Sequence, residues 1–333
     1  MRPLAIIDLV IPGLFNLPTD ELSIAFDRQP MPFLHRLLRF ANWFPTAVEN
    51  VDALLIQRLQ LEQSGLPYAQ AVRPGSKSAL LFRPVHLQAG LNNAIVHPVD
   101  LNEESTLLIN DLSSYFKVDC DIEELPGSGW IIHLHQVEPV YGTPNYWSVL
   151  GKKLTHYLEP SANNLDWFKL FNEMQMFLHQ HPLNLQREAQ GQASINSLWC
   201  WGADAYRNET CSDIDWYADD PLFRALGNLY TGRSAELSEF NTAAAGVDKI
   251  VIMLSLLKYL KGENDQNVVF ELARLERLLA SSMSGNHYRI RLHTGSDQVI
   301  EYRPMHRFRR WRPVQSLLAL MSQAILLDEL DSI

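Results

Sequence analysis

The stretch LAIIDLVIPG, Leu4 to Gly13, decides the fold class. Leu4 to Val10 is apolar except at Asp8, contains Ile6, Ile7 and Val10, and is closed by Ile11-Pro12-Gly13. A short apolar run ended by a turn is the pattern of a strand buried on both faces at the centre of an α/β sheet. Pro32 then stands where a first helical turn tolerates its missing N–H, and Phe33, Leu34, Leu37 and Leu38 continue at helical spacing. Strand, loop, helix is the opening of an α/β domain.

Downstream of the turn cluster Arg73-Pro74-Gly75-Ser76 the pattern changes. Leu80–Leu87 and Asn93–His97 read as two strands, Asn102 as the cap of a helix running to about Phe116, and Val118–Ile122 and Trp130–His135 as two more strands. That is a small α+β insertion. A helix is expected from Asp166 until Pro182, and a buried strand over Asn196–Trp201, stopped by Gly202. Further on, helices are expected over Pro221–Tyr230 and Asn267–Ser282, and a strand over Lys249–Leu254. A hairpin should pair Tyr288–Leu292 with Gln298–Tyr302, and a closing helix should span Pro313–Leu330.

Composition limits the function. The 333 residues are 47% hydrophobic and 20% charged, enough to bury a sizeable core. Twenty-eight Lys+Arg against thirty-eight Asp+Glu leave a net charge of −10, a field that repels nucleic acid and anionic membranes. The three cysteines, Cys120, Cys200 and Cys211, form no CxxC motif, and no apolar run reaches membrane-spanning length. A cytoplasmic protein without nucleic-acid or membrane partners is the expectation.

The segment FLHQHPLNLQREAQGQASINSLWCWGAD, Phe177–Asp204, carries a resemblance. His181, Pro182, Asn184, Arg187, Gly191, Asn196 and Gly202 resemble a stretch of archaeal-type cofactor-independent phosphoglycerate mutases. Together with Arg83-Pro84-Val85-His86-Leu87, the segment is closer to bacterial RpfE-type regulatory proteins. Both resemblances imply a three-layer α/β/α sandwich of alkaline-phosphatase type, here residues 1–73 and 192–333, with 74–191 as an inserted α+β domain. They also imply that Asp8 matches a metal-binding Asp on the first strand.

A mutase of this class is expected to hold two divalent metals and to pass a phosphoryl group through a Ser. No Ser stands in the position expected after the first helix. Where an Asp-x-x-Gly-His-Asp cluster should follow the Lys249–Leu254 strand, Leu256–Gln266 reads LLKYLKGENDQ, without His. Asp8 is therefore a metal remnant. The resemblance then implies a regulatory or binding protein, holding a phosphorylated small molecule or a protein partner, with no cofactor. Two divalent ions, manganese or magnesium, are expected only under the alternative of an active metal-dependent phosphoglycerate mutase or phosphohydrolase.

Other patterns are weaker. His133-x-His135 and His179-x-His181 have no nearby Cys and read as polar faces and turn residues. Gly-x-Ser-x-Gly and phosphate-cradling Gly-rich loops are missing. Trp199 and Trp201 share a strand face, so Trp201 is either a core wedge or part of a cleft. The segment YRPMHRFRRWRP, Tyr302–Pro313, reverses the local charge. Its Arg309 and Arg310 could grip an anion, dock an acidic partner as a scaffold would, or pair with Asp328, Glu329 and Asp331. Asp213-x-Asp215 could bind a cation or form a solvated face, while Asp220 before Pro221 suits a helix N-cap. The candidate anion or cleft residues are thus His181, Asn184, Arg187, Asn196, Trp201, Arg309 and Arg310; no catalytic residue is assigned.

Overall fold

The computed structural model describes residues 4–17, 26–46, 48, 50–63, 65–76, 78–90, 94–99, 101, 104–125, 129–139, 141–151, 153–154, 165–206, 213–242, 246–259, 265–284, 287–296, 298–309 and 311–322. In chain order the first elements are β1 (Ala5–Val10), α1 (Pro32–Phe40), β2 (Asn42–Pro45), α2 (Val51–Leu59) and α3 (Tyr68–Val72). Next come β3 (Ala79–Ala89), β4 (Ala94–Pro98), α4 (Glu104–Tyr115), β5 (Cys120–Leu125), β6 (Gly129–Leu134), α5 (Tyr146–Val149) and β7 (Lys153–Leu154). They are followed by α6 (Leu165–Gln180), α7 (Pro182–Ala189), β8 (Ser197–Trp201), β9 (Ile214–Ala218), α8 (Pro221–Thr231) and β10 (Ser234–Ala235). Last are β11 (Asp248–Ile252), α9 (Asp265–Ser284), β12 (Tyr288–His293) and β13 (Gln298–Tyr302).

Two compact units result: residues 1–54 with 210–333, and residues 55–209. The first contains a seven-stranded sheet of order β10-β9-β11-β1-β12-β13-β2. β1 lies parallel to β11 and β12, and only β13, between β12 and β2 at one end, runs antiparallel to its neighbours. Alternation along β1 sends Ala5, Ile7 and Leu9 into a core with Leu34, Leu37 and Leu38 of α1 and Leu272, Leu275 and Leu279 of α9. On the opposite face Asp8 sits level with Ile250, and Ile250 level with Trp216. Gly227 of α8 presses onto that Trp216 ring. Helices therefore cover both faces, giving the expected three layers around a mostly parallel sheet.

Helix α1 is clasped at both ends within this unit. The Glu276 carboxylate accepts the Phe33 and Leu34 N–H groups at 2.6 and 3.0 Å. Burial pushes Glu276 up, and those two hydrogen bonds oppose the shift. At the other end the Arg309 guanidinium donates to the Phe40 carbonyl and to the Asn42 side chain. Arg312 donates to the Arg39 and Ala41 carbonyls. An anion at the amino end and cations at the carboxyl end match the helix dipole.

The second unit is built on a six-stranded antiparallel sheet of order β5-β6-β3-β4-β7, with β8 also paired to β3. The first half of the long β3 pairs with β6, its last half with β4, and Leu81–Val85 with β8. Its core joins Leu80, Phe82, Trp130 and Ile132 to Leu108 and Leu112 of α4 and to Phe171, Met174 and Leu178 of α6.

The structure differs from the sequence reading at several points. The units divide at 54/55 and 209/210 rather than at 73/74 and 191/192. Backbone pairing with β3 draws β8 into the second sheet, and the Ala69 N–H of α3 donates to the Gly202 carbonyl at 3.0 Å. Pro182 ends α6 as expected but also opens α7 at its first position. The strand expected over Val118–Ile122 begins at Cys120 and runs to Leu125. Pro313–Ser316 are not helical; helix is present over 317–322, and the rest of the expected closing helix lies outside the described residues, as does Asn102.

Candidate functional site

In open α/β sheets the carboxyl ends of the parallel strands are where ligands bind. Here those ends belong to β1, β9, β11 and β12. Asp8, fully buried on β1, meets the Nε2 of His293 at 3.1 Å. His293 closes β12, and its carbonyl accepts the Ile11 N–H at 2.7 Å. The next ladder step joins the Gly13 N–H to the Thr294 carbonyl, with Gly13 at φ 77°, a conformation that favours glycine.

Beyond β9, Asp219 accepts the Leu254 and Ser255 N–H groups, one on each oxygen, at 2.9 and 3.0 Å. The Ser255 hydroxyl donates to Glu271 at 2.6 Å, and Arg274 stands 3.6 Å from the same carboxylate oxygen. Chemically this edge offers an oriented carboxylate–imidazole pair and a hydroxyl bonded to a carboxylate. The donor set does not fit a two-metal centre. Asp219 already serves two backbone donors, and among the described residues no group of three or more His, Cys, Asp or Glu could hold a metal ion. Glu263 lies outside the described residues.

The sequence candidates fall elsewhere, mostly as clasps. In the second unit His181 caps α7: its Nδ1 accepts the Leu183 N–H at 3.3 Å and its Nε2 faces Asp111 at 3.1 Å. Asn184 bonds both the carbonyl and the N–H of Ile195 and the carbonyl of Leu178. Arg187 donates to the Ala193 carbonyl and pairs with Glu104. Asn196 extends the β8 ladder by bonding both backbone groups of Leu87. Trp201 is buried, stacked on Tyr146 and edge-on to Trp147, with its indole N–H unpartnered among the described residues; the Trp199 N–H finds the Pro144 carbonyl at 3.0 Å. Of the other histidines weighed for a metal, His133 bonds Ser76 and His135 pairs with Asp121, while His179 is exposed near the end of α6.

In the first unit Arg309 caps α1, as described, and Arg310 lies outside the described residues, as do Asp328, Glu329 and Asp331. Asp213 is exposed, and Asp215 pairs with the fully buried Lys249 at 2.6 Å instead of waiting for a cation. Asp220 caps α8 as expected, accepting the Leu222 N–H at 2.8 Å. Neither described thiol is an activated nucleophile: burial, reinforced by Asp119 and Asp121, pushes Cys120 up to about 12, and burial raises Cys200 as well.

His293, Ser255 and Glu271 were not legible as candidates. The alternation Tyr288, Ile290, Leu292 with polar residues between disguises His293 as an ordinary outward position, and only its neighbour β1 reveals its partner.

The buried His306 gives this region a pH response. Its Nδ1 accepts the Arg303 N–H at 3.3 Å, which requires an unprotonated nitrogen. Burial, then the charges of Arg309, Arg303 and Arg312, lower its pKa to about 4, with Glu301 opposing. The unfolded chain, with His near 6.5, binds the proton first, so stability is full above about pH 6.5 and falls as pH drops toward 4. Urea unfolding between pH 7 and 4.5 should show wild type losing about 1–3 kcal/mol more than His306→Asn. Parallel loss in both proteins would exclude His306 as the source.

No protein-family model matches the chain, and no curated protein sequence matches it. Among solved structures it is similar to the cofactor-independent phosphoglycerate mutase of Thermoplasma acidophilum DSM 1728. Identity there is 13% and the TM-score 0.41, over 98% of this chain and 100% of that one. It is also similar to the PH0037 protein of Pyrococcus horikoshii, at 14% identity and TM-score 0.43, over 90% of this chain and 87% of that one. Likenesses this distant carry no argument about the chain's chemistry. Among the described residues, no helix is long and apolar enough to cross a membrane.

Proposed function

We propose that this chain is a phosphoglycerate-mutase-like protein of alkaline-phosphatase type, RpfE-like, that lacks most metal and nucleophile residues and acts in the cytoplasm as a regulatory or binding protein. One observation supports this reading above the rest. At the carboxyl edge of the sheet both oxygens of Asp219 accept backbone N–H groups and Asp8 is tied to His293, so these carboxylates hold the protein together where a catalyst would present them to cations. Its ligand is a phosphorylated small molecule or a protein.

The test is turnover of 3-phosphoglycerate and of p-nitrophenyl phosphate with added manganese, the cation that a two-metal site would use to polarise the phosphoryl oxygens. Rates equal to a buffer blank are expected. Metal-stimulated turnover that Asp8→Asn abolishes would instead establish an active phosphomutase or phosphohydrolase.

A further inference from the structure

Two surface features remain without a role. The first is a groove of about 710 Å³ between α4 and α6 in the second unit. Asp111 and Tyr115 line it from α4, Glu173, Met176 and Phe177 from α6, and His181 from its end. Spacings of three and four place these side chains as two facing stripes. Tyr115 is 65% and Met176 63% exposed, although aromatic and thioether groups lose water favourably on contact. Tyr115 and Phe177 touch at 4.9 Å between ring centres and make one apolar wall. Glu173 has no ion pair or hydrogen bond among the described residues, so the groove is apolar inside and acidic at its rim.

The second is the segment around the 3₁₀ turn Pro304–Phe308 in the first unit. His306 is buried beneath it, and Arg309 and Arg312 pin it to the carbonyls at the end of α1. What remains outward is Arg307, Phe308 at 63% exposure and Trp311 at 77%. The Arg307 guanidinium lies over the Phe308 ring at 4.7 Å. This is a basic and aromatic knob, held at its base by the Arg309 and Arg312 hydrogen bonds.

We propose that the knob of one copy of this chain docks in the acidic groove of another. Charge complementarity selects the occupant: in a chain of net charge −10 the groove needs a cationic, aromatic partner, and the chain itself carries one. Phe308 and Trp311 fill the wall of Tyr115, Met176 and Phe177, and Arg307 meets Glu173. Because knob and groove are different surfaces, the contact is head-to-tail, so association is open-ended or closes into a ring rather than stopping at a two-fold dimer. It stands independently of whether any catalysis remains.

Sedimentation velocity of the full chain, from micromolar to the hundred-micromolar range, tests it. Concentration-dependent assembly is expected, weakened at least about tenfold between 50 and 500 mM salt. Glu173→Lys and Arg307→Glu are both surface changes that leave the fold intact by circular dichroism, and each should weaken assembly by about tenfold or more. The double variant carrying both restores the pairing with inverted sign and should recover association to within about threefold of wild type. A chain that stays monomeric throughout overturns the proposal. So does an assembly that neither single variant weakens, or one that the double variant fails to rescue.

Discussion

Gly227→Val is expected to remove about 3–5 kcal/mol from the first unit, or to prevent soluble accumulation altogether. An added Cβ would stand well inside 3.0 Å of the Trp216 Cγ and 2.6 Å from its Cδ2, separations that packed carbon atoms do not adopt. Trp216 cannot yield, because it is itself buried on β9 between Ile250 and the helix. Helix α8 cannot retreat either, since Leu222, Phe223, Leu226 and Tyr230 are buried along the same face. Helix propensity alone predicts the opposite sign, a gain of about 1 kcal/mol for Gly→Ala. Gly227→Ala should therefore separate the two effects: a loss measured by urea unfolding means that close packing wins. In a Trp216→Ala background the same alanine should cost little, because the ring atoms it strikes are gone. An alanine that stabilises the wild-type background would show that the helix does not sit on that ring.

What could be read from sequence was local and periodic. Pro32 and Pro221 stand at the first positions of α1 and α8, and Asp220 caps the latter, because proline and short polar side chains have only a few ways to fit a helix start. The β12–β13 hairpin matches to within a residue because alternation and a Gly-centred turn define it. The allegiance of β8 was not readable: its pairing with β3 crosses more than a hundred residues, and its own pattern suits either sheet. The short β2 has only four residues and ends in Pro45, so only its partner β13 makes it a strand. For the candidate site the difficulty is chemical. Asn, His and Arg are chosen for ligand binding because they offer directed donors and acceptors, and the same property suits them to satisfy buried backbone. Spacing cannot distinguish the two uses; the partner can, and for Asn184, Asn196 and Arg309 the partners include main-chain atoms.

Asn184→Ala is the second large effect, and it bears directly on that distinction. The Asn184 Nδ2 donates to the Leu178 carbonyl at 2.7 Å and to the Ile195 carbonyl at 2.9 Å, while its Oδ1 accepts the Ile195 N–H at 2.7 Å. One buried side chain thus ties the end of α6 to the segment that enters β8. Truncation takes the partner from both backbone groups of Ile195, at about 1–3 kcal/mol each before relaxation, and leaves the Leu178 carbonyl only the His181 N–H, in a site too enclosed for water to replace the side chain freely. A total loss of about 3–5 kcal/mol follows, short of simple addition because the loop shifts. Asn184→Asp should be no better. It keeps the acceptor for Ile195 but turns a negative oxygen toward two carbonyls. Urea unfolding followed by tryptophan fluorescence gives the loss, and faster hydrogen exchange at the Ile195 amide locates it. A residue held for ligand binding would behave otherwise, with binding impaired and stability within about 1 kcal/mol of wild type, and that result would restore Asn184 to the ligand site.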